Sequence, residues 1–91
     1  MEKALWYLLT ATRGGENRVR IIRALSQQPM NANQLAETLG VRYKTARHHL
    51  DALAEHDVVE PGETDYATLY FLTDRFEKHR EQFEKILEAI E

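Results

Sequence analysis

The chain contains no cysteine, and its 91 residues include only two prolines and four glycines. Without cysteine there is no disulfide, no thiolate metal site and no thiol nucleophile, and the composition fits a reducing cytoplasm. No proline-rich linker, internal repeat or low-complexity tract divides the sequence, so residues 1–91 are read as a single domain. A long apolar run is missing too. The stretch from Ala4 to Leu9 is too short for a bilayer span, which takes about 20 residues. Glu2 balances Lys3 and no small-residue cleavage site follows, which argues against a signal peptide. The expected setting is cytoplasmic, with no membrane partner. Also absent are a Gly-x-Ser-x-Gly elbow, a phosphate-binding glycine loop and an HExxH pair. The carboxylates after residue 50 fall at helical spacings and along a hairpin, where acids are usually solvated. Neither catalysis, nor a cofactor, nor a metal is expected.

What is present reads as soluble and globular, at 43% apolar and 30% charged residues. A domain of this size buries only roughly 60–65% of its unfolded surface, so a second protomer would add considerably to its core. The net charge of −3 is unevenly spread. Residues 13–50 carry seven Lys/Arg and two acids, a local +5, whereas residues 51–91 carry four bases and twelve acids, a local −8. This asymmetry points to one anion-facing surface and one of another use.

The first helix is expected over 3–12, ending at Gly14-Gly15. Leu5, Trp6, Tyr7, Leu8 and Leu9 make it apolar around most of its circumference, so it needs cover on more than one side, part of it from a partner. A second helix over 16–27 turns Val19, Ile21, Ile22 and Leu25 inward and Arg20 and Arg23 outward, with Glu16 and Arg20 at a supportive spacing. Asn31 with Gln34 has the form of a capping box, and Gly40 that of a left-handed stop, bounding a helix over 31–39. A tight turn then leads into a helix over 42–56. Two short helices joined this closely are the mark of a helix-turn-helix. Two β-prone runs around Pro61-Gly62 read as a hairpin over 58–72. A last helix over 74–91 opens with Asp74 and Glu77 at capping-box spacing, and it carries Phe76, Phe83 and Ile90 every seven residues as a seam for another helix.

The stretch "YKTARHHLDAL" decides the functional reading. On a helical wheel Ala46, His49, Leu50 and Leu53 share an inner arc, while Lys44, Arg47 and His48 face outward with Tyr43 at their flank. The outward face is basic in its first turns and acidic at its end. A helix that reads DNA contacts bases mainly with its N-terminal residues. Arg47 can fork onto guanine, Lys44 suits guanine or phosphate, and Tyr43 suits phosphate or a thymine methyl. The adjacent His48 and His49 diverge by about 100° and do not chelate. His48 is expected outward on DNA, and His49 as a satisfied histidine at the core edge. His79 with Asp74 supplies at most half of a metal site.

The order helix, helix, helix-turn-helix, hairpin, helix resembles the winged helix-turn-helix regulators, most closely the ArsR-type family including its small archaeal members. "QLAETLG", then "V-x4-A-x2-HHL-x2-L", then "DVVE" carry the resemblance, which spans nearly the whole chain. It implies a mainly α fold of five helices plus a wing. It also implies DNA-facing Tyr43, Lys44, Arg47 and His48, and a homodimer built by the first and last helices. The sequence departs from that family by having no thiolate sensor site. Its wing is acidic, with Asp57, Glu60, Glu63 and Asp65 and no Lys or Arg, leaving Thr64 and Tyr66 as minor contacts.

The reading is a cytoplasmic, homodimeric, sequence-specific regulator that binds double-stranded DNA through Arg42, Tyr43, Lys44, Arg47 and His48. Arg13, Arg18, Arg20, Arg23 and Arg42 are candidate phosphate contacts. The alternative is a winged-helix protein–protein module that does not read DNA, favoured by the acidic hairpin and opposed by the basic block.

Overall fold

The computed structural model describes residues 1–63 and 67–91. Thr64, Asp65 and Tyr66, and with them any contact from the wing tip, lie outside the described residues. The chain opens with α1 (Glu2–Trp6), which runs on as a π-helical segment (Tyr7–Ala11). After it come α2 (Gly15–Gln27), α3 (Ala32–Leu39) and α4 (Tyr43–Glu55). The antiparallel strands β1 (Val59–Glu63) and β2 (Thr68–Leu72) then form the wing, and α5 (Asp74–Lys78) and α6 (Arg80–Ile90) close the fold. This is a winged helix-turn-helix, mainly helical with a small hairpin. No helix among the described residues is long and apolar enough to cross a membrane.

The helix-turn-helix is set by local chemistry. The Asn31 side chain accepts from the Gln34 backbone N–H, and the Gln34 side chain accepts in return from Asn31 N–H, both at 2.8 Å. Two of the orphan donors at the start of α3 are thereby satisfied. At its other end Gly40 takes φ 71°, and Val41 N–H reaches back to Ala36 C=O at 3.0 Å. That left-handed stop turns the chain directly into α4. A second such stop ends α4, with Asp57 at φ 60° and Val58 N–H on Leu53 C=O at 2.9 Å.

β1 pairs with β2 from Val59 opposite Leu72 to Glu63 opposite Thr68. Tyr70 N–H also donates to Met30 C=O at 2.8 Å, which ties the wing to the segment just before α3. One core joins all elements: Leu5, Leu8 and Leu9 from the first helix, Ile21 and Ile22 from α2, Leu35, Leu50 and Leu53 from the helix-turn-helix, and Phe76, Phe83 and Ile86 from the end.

Four expectations are corrected. The single helix over 3–12 changes pitch after Trp6, where Leu9 C=O meets Gly15 so closely that a Cβ there would collide with it. The single helix over 74–91 breaks at His79, which lets the Phe76 and Phe83 rings meet edge-on at 5.5 Å inside the core. Its cap is Thr73, whose hydroxyl accepts from Phe76 N–H at 3.0 Å; Glu77 instead pairs with Arg80 at 2.6 Å. Arg20 bonds Asn17 at 3.2 Å rather than Glu16.

Candidate nucleic-acid interface

α4 lies with Ala46, His49, Leu50 and Leu53 buried against the core, so its remaining face is presented outward. Arg42, Tyr43, Lys44 and His48 are exposed and Arg47 is half-exposed. All five predicted residues therefore share the first turns of one helix. Among the described residues Arg42 and Lys44 have no ion-pair partner. Arg47 is already held: its guanidinium donates to Tyr43 Oη at 3.1 Å and lies 3.7 Å from the Asp51 carboxylate one turn on. The hydrogen bond to Tyr43 is the main reason its pKa is raised further. A guanidinium steered by neighbours on both sides loses less side-chain freedom when it forks onto a base edge.

The helix has two unlike flanks. On one, Tyr43 and Arg47 border a cleft shared with Asn33, Pro61, Glu63 and Tyr70, between α3 and the wing. On the other, Lys44, Thr45 and His48 face the turn at Arg13 and Gly14. That turn is seated by glycine. Gly14 has φ 88°, and a Cβ on it would run into the His49 ring.

His49 is 5% exposed and its Nδ1 has no partner among the described residues, which corrects the satisfied histidine expected there. Its pKa is lowered by burial first, then by the charges of Arg18 and His48. Arg18 itself is 5% exposed, which corrects its reading as a phosphate contact. Its Nη1 donates to Leu8 C=O at 3.0 Å and to Thr12 Oγ1 at 2.6 Å. A guanidinium there meets orphan carbonyls at the negative end of the first helix. The clue lay in the sequence: Ile22 and Leu25, both buried, follow Arg18 at i+4 and i+7, on its own face of α2.

Arg20 and Arg23 are set elsewhere. They line a cleft with Leu9, Val19 and Ile90, and Arg23 holds both Glu91 carboxylate oxygens at 2.9 and 3.0 Å. Only Arg13 and Arg42 of the candidate phosphate contacts stand beside the face of α4. His79 uses Nδ1 on Arg75 C=O at 2.8 Å, and no metal-competent group of three His, Cys, Asp or Glu exists among the described residues.

Known structures repeat this architecture. The homodimeric winged helix-turn-helix DNA-binding domain of a possible ArsR-family regulator from Mycobacterium bovis superposes with a TM-score of 0.74 at 18% identity, over 97% of this chain and 79% of that one. The adhesin competence repressor of Streptococcus pyogenes gives 0.64 at 19% identity, over 93% and 70%. ZitR of Lactococcus lactis gives 0.61 at 20%, over 81% and 54%. At such identities the likeness establishes the fold. No curated protein sequence matches. The sequence profile of the helix-turn-helix domain family does match, over residues 16–61, from the start of α2 into β1. The chain belongs to that helix-turn-helix family.

Proposed function

We propose that the protein is a sequence-specific transcriptional regulator that binds double-stranded DNA as a homodimer, with α4 in the major groove. The observation that carries this reading is the outward face of α4. Five cationic or hydrogen-bonding side chains, Arg42, Tyr43, Lys44, Arg47 and His48, occupy its first two turns, and its acids come later. A chain of net charge −3 that gathers unpaired cations on one helix face offers that face to an anion. Arg47 reads bases, Lys44 serves a base edge or phosphate, Tyr43 and His48 contact the groove edge, and Arg42 meets phosphate where the helix begins. The homodimeric state of the mycobacterial domain supports a homodimer here, in which the first and last helices would pair. Here they leave Trp6 (39%), Tyr7 (53%) and Ile90 (47%) exposed. Two α4 helices in such a dimer read half-sites about one helical turn apart. In this reading the protein is no enzyme, needs no cofactor or metal, and works in the cytoplasm, where its DNA is.

Fluorescence anisotropy with random duplex DNA, from about 50 to 200 mM salt, tests it. Each phosphate neutralised contributes about −0.9 to the log–log slope, so a slope steeper than about −4 is expected. Absence of binding at the lowest salt would leave the acidic wing, with Glu60 and Glu63 exposed, as the working surface of a protein–protein module.

A further inference from the structure

On the flank of α4 away from the wing lies a shallow, open hollow of about 400 Å³, lined by Arg13, Gly14, Lys44, Thr45, His48 and His49. No carboxylate lines it, in a chain with 15 acids. Arg13 and Lys44 have no ion-pair partner among the described residues, although they approach from different segments. Like charges brought to one acid-free hollow repel unless an anion sits between them. The hollow is also built rather than incidental. Its floor is the buried His49 ring, and the missing Cβ of Gly14 lets the Arg13 turn close onto that ring.

We infer that this hollow seats one backbone phosphate of the DNA duplex on which α4 docks, an inference that rests on the DNA-binding reading above. A phosphate suits it better than a base edge. The two cations stand at the flank of the helix, and the Thr45 hydroxyl and His48 imidazole add donors between them, which matches a compact anion with several acceptor oxygens. The wing explains why such a clamp lies on this side. β1 presents exposed Glu60 and Glu63, and residues 58–72 contain no Lys or Arg, so the wing side repels phosphate. Backbone grip then falls to the Arg13 turn, and the duplex is held from the α2 side of the recognition helix.

The test compares salt dependence on random duplex DNA for the wild type, Arg13→Ala, Arg13→Lys and Lys85→Ala. The last removes an equal charge from the exposed face of α6. Arg13→Ala is expected to make the slope shallower by about 0.9 for each protomer engaged and to weaken all sequences alike. Arg13→Lys should restore the slope, because a point charge serves a phosphate, whereas a base-reading fork is not replaced by lysine. Lys85→Ala should leave the slope unchanged. An unaltered slope in Arg13→Ala, a loss confined to particular sequences, or an equal loss in Lys85→Ala would each overturn the clamp while leaving DNA binding intact. A wild type that does not bind random duplex would remove the DNA-binding reading and the clamp together.

Discussion

At the scale of single residues, His49 beside Arg18 gives the fold one source of pH dependence. The Arg18 guanidinium bonds only neutral acceptors, the Leu8 carbonyl and the Thr12 hydroxyl, so its charge is left to act on the nearby imidazole. Burial and that charge lower the folded pKa of His49 below its unfolded value of about 6.5. The folded state therefore binds fewer protons there than the unfolded state. Stability from this group is complete above about pH 6.5 and declines as pH falls through that value toward the folded pKa. Glu77 acts lower on the scale, since the hydrogen bond from Arg80 holds it below the usual carboxylate value. Urea midpoints measured between about pH 7.5 and 5.5 should fall for the wild type and hold nearly level for His49→Gln. Parallel curves for the two proteins would clear His49 of the effect. The inward position of His49 was legible from the spacing of Ala46, Leu50 and Leu53. Its missing partner was not, because that depends on a turn more than thirty residues earlier in the chain.

At the scale of elements, what the sequence made legible is what local bonds decide. α3 and α4 have nearly the expected bounds because Asn31, Gln34 and Gly40 terminate them with contacts three to five residues long. The first and last helices were less legible. The pitch change after Trp6 and the break at His79 go with contacts between one element and the next, Gly15 on Leu9 in one case and Phe76 on Phe83 in the other. Propensity and heptad spacing carry no information about either. The candidate interface divides in the same way: Arg42 to His48 could be read from one helix, but the Arg13 hollow needed two segments folded together. The local cap also carries a testable share of stability. Asn31→Ala should lower unfolding free energy by about 1 kcal/mol, and Asn31→Asp should keep most of it, because its carboxylate still accepts from Gln34 N–H. An equal loss in both variants, measured by urea unfolding, would show that the cap does not act through that acceptor.

At the scale of the whole molecule, the question is what covers the first helix and the end of α6. The chain buries Leu5, Leu8 and Leu9 of the first helix by itself, together with Phe83, Ile86 and Leu87 of α6. Trp6, Tyr7 and Ile90 are left out, and between the first helix, α2 and the end of α6 lies a cleft of about 660 Å³ with Leu9, Val19 and Ile90 along it. The heptad from Phe76 through Phe83 to Ile90 is thus divided, two members serving the core and the third facing out. A twofold pairing that packs these apolar side chains against their copies buries area that a domain of this size cannot bury alone. Sedimentation equilibrium should then give twice the chain mass of 10.6 kDa for the wild type. Tyr7→Glu and Ile90→Glu each replace apolar contact area in this seam with a carboxylate that must be desolvated on pairing, and each should shift the species toward monomer. Trp6, the only tryptophan, reports the change independently: its emission should move to the red in both variants as water reaches the ring. On the proposed reading DNA affinity should fall with dimer content, since one α4 would contact only one half-site. Dimers that persist in both variants, with unchanged tryptophan emission, would place the pairing surface elsewhere on the molecule.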